Sequence, residues 1–333
     1  MNRFYLTDPM EVSPGGLTSA RQSLLKLLTH GQLSDPETIQ VIVGWHTHSQ
    51  RTCLNRSPAT CLILWSHGVG VSAFYSSRPF LSLLRWFLRI PDLLSLFRTL
   101  SRVSCLVTAY PRQSILDTRS IDELIARWMG VPVCSIGNPI DTNFWLPSPG
   151  PPSSVLQVLS IGRLEWQKGH QQALSIVLTT SPNITFTALA PSAEPAYAGK
   201  LSELAKGLGF PQRLQIFTAL PPAQRRQLLR ESLCTLCWSE TEYQSLAILE
   251  SLACGCPVIA RPRGWLRNRR VPGVLVASNQ KQASRLITKL SEDSQWRHGL
   301  SMAGRDYVVT HHSLAFVASE WHTLASRMGF DGN

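Results

Sequence analysis

The chain has 333 residues, of which 44% are hydrophobic and 16% are charged, and it carries a formal net charge of +11 at pH 7. This composition excludes a disordered chain, and the length suggests two domains with sizeable cores. The positive charge favours anionic partners: phosphates, an acidic membrane surface or nucleic acid. The N-terminus lacks the apolar run of a signal peptide and no apolar stretch is long enough to span a bilayer, so we expect neither a leader nor a transmembrane helix.

The first half of the chain alternates between strand and helix patterns. The predicted strands are residues 3–8, 38–45, 61–66, 103–109 and 131–136, and the predicted helices are 17–29, two within 78–102, and 121–129. Such alternation is typical of a parallel sheet covered by helices, where ligands bind at the carboxyl ends of strands. At such positions lie Gly15 and Gly16, after the first strand, and His67, after the third. Two alternatives remain open: the glycines could form a plain turn, and the histidine could have a structural role.

The segment 78–102 is basic, aromatic and amphipathic, with a break at Pro91. Segments of this kind can lie in a membrane interface. The residues that we assign to membrane contact are Arg78, Arg85, Trp86 and Arg89. An ordinary pair of domain helices with arginines facing water remains an alternative.

The segment PSPGPPSS at 147–154 predicts a linker, and a second run of strands and helices follows it. The predicted strands are 155–161, 184–189, 214–217, 233–238 and 258–260. The first predicted helix of this run follows Gly169 and ends at about residue 180. The others are 197–208, 222–231, 243–254, 280–291, 293–305 and 313–328. Two such runs predict two parallel-sheet domains with a cleft between them.

The predicted helix 243–254 is apolar on nearly every side except at Glu250. A lone buried carboxylate is costly unless it is paired or hydrogen-bonded, so a polar group must meet it. Glu242 lies at the mouth of this helix, whose N-terminus offers N–H groups to a phosphate. Two other interpretations stay open: a capping box between Ser239 and Glu242, and a structural ion pair at Glu250.

Short cysteine spacings at 234/237 and 254/256 are similar to metal motifs. A separation of three in an apolar strand places the first two side chains on opposite faces. We therefore interpret these cysteines as core thiols rather than zinc ligands and predict no metal site.

Three segments together resemble a retaining glycosyltransferase of the GT-B fold, most like glycosyltransferase family 4. GRLEWQKG at 162–169 resembles the G-R-L…K-G segment of that family, and ETEYQSLAILESLACGCPVIA at 240–260 resembles its E-x7-E signature. NPIDTNFW at 138–145 resembles the stretch before its linker. The resemblance implies two Rossmann-like parallel-sheet domains facing a central cleft. We assign 1–147 to acceptor binding and 148–310 to nucleotide-sugar binding, with a C-terminal helix at 311–333 that could pack back on the first domain.

The family resemblance also implies residue roles. Arg163 and Lys168 would clamp the diphosphate of the donor, and Glu250 would bind its ribose hydroxyls. Glu242 would hold the transferred sugar, with His67 acting on the sugar from the other domain. The further donor contacts are Gln244, Ser245 and Leu246, and the acceptor loop is Gly15 and Gly16.

The implied activity is metal-independent transfer of a hexose from a nucleotide-diphosphate sugar, with retention by front-side attack and with no cofactor. The acceptor would be a glycan or a lipid-linked glycan in surface polysaccharide biosynthesis. We expect a cytoplasmic protein, peripheral on the inner face of the plasma membrane, with an acidic membrane surface as a further partner.

Some residues depart from the family pattern. Tyr243, Gln244 and Ser245 replace Gly-Phe-Gly, and Ala190 and Ala219 replace glycines. A catalytically inactive GT-B scaffold that binds a membrane or a partner is therefore an alternative. Nucleic-acid binding through the arginines of 261–270 is a third class, but that segment has a single aromatic residue for stacking and no recognised module, so we expect no nucleic acid.

Overall fold

The computed structural model describes residues 4–7, 39–43, 61–66, 96–110, 121–148, 156–240, 242–267 and 269–329. Contacts divide the chain into two compact units. The first contains Met1–Val12, Ala20–Pro139 and Leu314–Asn333, and Ile140–Ser313 forms nearly all of the second.

The first unit contains a parallel sheet of five described strands in consecutive order. The strands are β1 (Phe4–Thr7), β2 (Ile39–Val43), β3 (Cys61–Ser66), β4 (Cys105–Thr108) and β5 (Val133–Ser135). The second unit contains a parallel sheet with the order β11-β10-β9-β6-β7-β8. Its strands are β6 (Gln157–Ile161), β7 (Thr185–Ala190), β8 (Leu214–Thr218), β9 (Cys234–Cys237), β10 (Val258–Ala260) and β11 (Val274–Val276).

Helices connect and cover these strands. They are α1 (Ile121–Trp128), α2 (His170–Thr180), α3 (Pro195–Gly207), α4 (Pro222–Glu231), α5 (Leu246–Ala253), α6 (Gln280–Glu292), α7 (Ser294–His312) and α8 (Leu314–Arg327). A helical segment at residues 96–100 precedes α1.

Each unit has its own hydrophobic core. In the first unit, Trp321 of α8 meets Trp65 of β3 edge to face, with ring centroids 5.9 Å apart, and both side chains are fully buried. In the second unit, Val158, Phe186 and Leu236 are fully buried on neighbouring strands. Parallel strands are covered on both faces, which explains why these strands are continuous apolar runs in the sequence.

The predicted α/β class with parallel sheets is confirmed, with several changes in element bounds. The helix predicted at 243–254 begins only at Leu246, and the one predicted at 293–305 continues to His312. The edge strand β11 was not predicted. The predicted helix 17–29 and most of 78–102 lie outside the described residues.

The contact division at 139/140 precedes the linker predicted at 147–154. The segment 141–147 belongs to the second unit because arginines of α4 and α7 bind its backbone. Arg226 and Arg230 donate to the carbonyls of Phe144 and Leu146, over 2.9 and 2.6 Å.

Candidate functional site

The candidate site begins where the strand order of the second sheet reverses. β6 and β9 are adjacent there. The loop after β6 leads to α2, and the loop after β9 leads to α5. In open α/β sheets, ligands bind outside the carboxyl ends of the strands at such a reversal. The loop after β6 carries Lys168, and the loop after β9 carries Glu242.

Lys168 and Glu242 form an ion pair across these two loops. Nζ of Lys168 lies 3.0 Å from Oε2 of Glu242, and the two side chains are 23% and 10% exposed. Burial alone would lower the pKa of Lys168, but the Glu242 carboxylate, together with Cys237, raises it, and the net pKa is raised. Lys168 is therefore positively charged at neutral pH, and an anion placed beside this pair would meet a fixed cation.

Glycine is required immediately after Lys168. Gly169 has a φ of 69°, and a Cβ at this position would lie 2.2 Å from the carbonyl oxygen of Trp238. A side chain here is excluded both by the left-handed backbone and by the close approach of the β9 end. The spacing between the two loops thus depends on this glycine.

His170, the first residue of α2, forms hydrogen bonds with β6 and with the loop that follows it. Its Nε2 lies 3.0 Å from the carbonyl oxygen of Arg163, and its Nδ1 lies 2.9 Å from Oγ of Ser160. A carbonyl only accepts, so Nε2 carries the proton and Nδ1 accepts from the serine hydroxyl. Burial lowers the pKa of His170 to about 4, so the ring is neutral. This role has no sequence signal beyond the position of His170 directly after the Lys-Gly pair.

The guanidinium of Arg163 pairs with a neighbour on its own loop. Nη2 of Arg163 lies 2.9 Å from Oε1 of Glu165, and the Arg163 side chain is 59% exposed. Arg163 and Lys168 therefore lie on one loop with different carboxylate partners.

The loop that carries Glu242 is irregular rather than helical. Because α5 begins at Leu246 with Ser245 at its N-cap, Ser239 cannot cap this helix, and the capping-box interpretation of Glu242 is wrong. The side chain of Ser245 makes no capping hydrogen bond. Gln244, Ser245 and Leu246 are all buried, with 7%, 8% and 9% of their surface exposed.

The arginine-rich segment after β10 supports this loop. A Cβ on Gly264, whose φ is 56°, would lie 2.3 Å from the carbonyl oxygen of Glu242. The N–H of Trp265 donates to the carbonyl of Tyr243 over 3.2 Å. Arg261 pairs with Glu240. This segment therefore fixes the backbone on both sides of Glu242.

Glu250 is buried within α5, with 4% of its surface exposed, and its ion-pair partner is Arg225 of α4 rather than Arg163 or Lys168. Nη2 of Arg225 lies 3.0 Å from Oε1 of Glu250. Burial raises the pKa of Glu250 to about 7, and the charge of Arg225 opposes this rise. The polar partner that the sequence required is thus Arg225, and the ion-pair interpretation of Glu250 describes this contact.

Cys234, Cys254 and Cys256 are buried, and burial raises their pKa values, so they are protonated thiols at neutral pH. Over the described ranges, no three histidine, cysteine or carboxylate side chains cluster as metal ligands do.

Several predicted site residues lie outside the described residues. They are Gly15, Gly16, His67, Arg78, Arg85, Trp86 and Arg89. Their roles stay predictions. None of the helices that the structure describes combines the length and apolar composition needed to cross a bilayer.

Solved structures share the fold of this chain. Sucrose-phosphate synthase (tll1590) from Thermosynechococcus elongatus has a TM-score of 0.69 and 15% identity, over 87% of this chain and 73% of that one. Anabaena Alr3699/HepE, solved with UDP, has a TM-score of 0.65 and 14% identity, over 98% and 100%. A glycosyltransferase from Rickettsia africae ESF-5 has a TM-score of 0.65 and 15% identity, over 97% and 84%. The predicted GT-B fold class is confirmed.

The family comparison concerns the second unit. No curated protein sequence matches the chain. The sequence-family model described as "Glycosyl transferases group 1" matches residues 141–307, slightly more than half of the chain. This range contains the Lys168–Glu242 pair, α5 and the loop after β10. The chain belongs to the glycosyl transferases group 1 family.

Proposed function

We propose that this protein transfers a hexose from a nucleotide-diphosphate sugar to a glycan or lipid-linked glycan, with retention of configuration, as members of glycosyltransferase family 4 do. The observation that carries the proposal is the Lys168–Glu242 ion pair at the reversal of the second sheet. The pair presents a fixed cation and a hydroxyl acceptor 3.0 Å apart, as binding of a phosphate next to a sugar requires. In this proposal the second unit binds the donor and the first unit binds the acceptor.

The leaving group determines what the cations do. Negative charge grows on the diphosphate as the glycosidic bond breaks, and a cation fixed there stabilises the transition state more than the ground state. Lys168 supplies a point charge, and Arg163 supplies a fork for two phosphate oxygens. The N-terminus of α5 adds N–H groups from Ser245 onward. We propose that these groups replace a metal ion, so that activity persists in a chelator.

The carboxylates hold the two ends of the donor. Glu242 accepts hydrogen bonds from hydroxyls of the transferred sugar, next to the cation that holds the phosphate. Glu250 accepts from the ribose hydroxyls, and Gln244 lies between these two positions in sequence. Front-side attack by the acceptor hydroxyl retains the configuration without an enzymic nucleophile, with His67 as the residue of the first unit that acts on the sugar.

A uridine nucleotide is the first candidate donor. The fold neighbour Alr3699/HepE was solved with UDP and with UDP-glucose. UDP and GDP are therefore the two ligands to compare first.

We further propose that the acceptor is presented at the inner face of the plasma membrane, in surface polysaccharide biosynthesis, to a cytoplasmic enzyme. One face of α1 carries Leu124 and Trp128, which are 42% and 78% exposed, and Arg127. Exposed Arg98 lies next in sequence to Phe97, whose ring contacts Trp128. Tryptophan beside arginine suits an anionic lipid interface.

Vesicle sedimentation tests the membrane part. We expect the protein to bind vesicles that contain phosphatidylglycerol better than pure phosphatidylcholine, and Trp128→Ser to weaken this binding. Met302→Ser changes an exposed apolar residue of α7 and should leave it unchanged. Equal binding of both variants would remove α1 from the proposal.

The competing function is an inactive scaffold, which Tyr243, Gln244 and Ser245 in place of the family's Gly-Phe-Gly would favour. Thermal melting in UDP and in GDP separates the two. A ligand at 100 times its Kd adds about 2.7 kcal/mol to the free energy of unfolding, which raises the midpoint by roughly 5 °C or more. No shift with either nucleotide would favour the scaffold.

A further inference from the structure

Arg225 lies between the buried carboxylate of Glu250 and an aromatic ring. Its Nη2 is 3.0 Å from Oε1 of Glu250, and its Cζ lies 4.9 Å from the ring centroid of Trp145. The Arg225 side chain is 22% exposed and Trp145 is 7% exposed. A guanidinium held by a ring on one side and a carboxylate on another has little freedom to reorient.

The backbone that carries the Trp145 ring is bound by other arginines. Arg305 of α7 donates to the carbonyls of Trp145 and Thr142, over 2.6 and 2.9 Å. The backbone carbonyl of the neighbouring Phe144 accepts a hydrogen bond from the Arg226 guanidinium, whose Cζ lies 4.6 Å from the Phe144 ring centroid. Trp145 therefore has a fixed position, and Arg225 stacks on a fixed surface.

The pairing uses one oxygen of the carboxylate and leaves the other. Arg225 binds Oε1 of Glu250, and Oε2 makes no hydrogen bond to any described residue. An ionised carboxylate can accept several hydrogen bonds, so Oε2 retains its capacity for hydroxyl groups. A carboxylate with one oxygen fixed has a defined direction for the second.

We propose that Arg225, stacked on Trp145, is a positioning residue that holds Oε1 of Glu250 and directs Oε2 to a ribose hydroxyl of the donor nucleotide. The inference rests on the proposed function, and it adds a residue of α4 that lies outside the E-x7-E segment. Arg225 does not touch the sugar or the phosphate in this arrangement.

The charge of Arg225 also bears on the ionisation of Glu250. Burial raises the pKa of Glu250 to about 7, and Arg225 lowers it. The other ionisable groups near this end of α5 are Cys254 on the same helix, Arg230 on α4 and Arg305 on α7, which contacts the carbonyl of Ala253. Loss of Arg225 raises the pKa of Glu250 further, so a carboxylate is present only at higher pH.

The test compares UDP with 2′-deoxy-UDP, or GDP with its 2′-deoxy form, by calorimetric titration between pH 6 and pH 9. Wild type should bind the ribose form roughly tenfold more tightly at pH 8, as expected for a hydrogen bond to a charged acceptor. This preference should appear with a midpoint near pH 7. In Arg225→Met the preference should be lost at pH 7.5 and return at higher pH.

Two further variants distinguish positioning from general stability. Arg225→Lys keeps the charge and should restore much of the preference at pH 7.5. Arg285→Met removes an exposed arginine of α6, and its preference should match that of wild type. Thermal melting of each variant shows whether it is folded, and if Arg225→Met is not, Arg225→Gln, which also removes the charge, takes its place.

Two results overturn the inference in different ways. An unchanged preference and pH midpoint in folded Arg225→Met, or in Arg225→Gln where that variant takes its place, would show that Arg225 does not position the carboxylate. Equal binding of the ribose and deoxyribose forms by wild type would remove the ribose contact while leaving nucleotide binding intact. Failure to bind either nucleotide overturns the proposed function as well.

Discussion

Replacing Glu250 by glutamine removes a buried negative charge and keeps the shape of the side chain. Glu250 is 4% exposed and faces Arg225, which is partly exposed and stacked on Trp145. Burial raises the pKa of Glu250 from 4.5 to about 7. Between these values the folded protein keeps a proton that the unfolded chain has released, so the free energy of unfolding falls as the pH rises from 4.5 to about 7 and levels off above it.

The magnitude follows from this shift. One pKa unit corresponds to about 1.4 kcal/mol, so ionised Glu250 lowers the free energy of unfolding by about 3 kcal/mol above pH 8 relative to a pH below 4. Glu250→Gln has no charge at any of these pH values, so its free energy of unfolding does not include this penalty. We expect its free energy of unfolding, relative to wild type, to rise by about 2 kcal/mol between pH 5 and pH 8.

Urea unfolding at pH 5, 6, 7 and 8 measures this difference, and nucleotide titration at pH 8 measures function. The expected result is a more stable protein at high pH that binds nucleotide at least tenfold more weakly, as at other sites where stability is lower because of function. Glu203→Gln, on the exposed face of α3, is the matched control, and its difference from wild type should be the same at pH 5 and pH 8. A pH-independent difference for Glu250→Gln would refute the reasoning.

Three further predictions concern the scaffold of the site. Ala219 has a φ of 53°, where L-residues are strained by about 1 kcal/mol, so Ala219→Gly should leave the urea midpoint equal or higher, whereas Ala190→Gly in β7 should lower it. Gly169→Ala should abolish nucleotide binding and lower the melting midpoint because of its clash with the end of β9, whereas Gly207→Ala, with open space around it, should not lower the midpoint. Arg213 donates to four carbonyls around the end of α2, so Arg213→Met should lower the free energy of unfolding by about 3 kcal/mol, and an unchanged urea midpoint would contradict this.

The strands of the second unit were predictable from the sequence because buried parallel strands are short apolar runs between turns. The start of α5 was not, because the spacing of apolar residues continues back to Tyr243. The backbone at Glu242 and Tyr243 is instead kept out of the helix by contacts with Gly264 and Trp265, 22 residues further along the chain. Local patterns carry no information about such a contact.

The same limit applies to the site. The sequence indicated that Glu250 needs a polar partner and that Lys168 and Glu242 belong to one site, because a buried charge and a known motif are both visible in the sequence. It did not indicate Arg225, since helix α4 carries several arginines and only the packing of α4 on α5 selects one. The role of His170 was missed because its partners are a backbone carbonyl and a serine hydroxyl, which have no sequence signature.

Nucleotide binding at the Lys168–Glu242 pair is the central claim, and calorimetric titration of UDP and GDP into Lys168→Ala tests it most directly. Lys200→Ala, an exposed lysine of α3, is the control. The account predicts that wild type and Lys200→Ala bind one nucleotide with the same affinity, and that Lys168→Ala gives no measurable heat of binding while its circular dichroism spectrum stays that of wild type. Wild-type affinity in folded Lys168→Ala would contradict it.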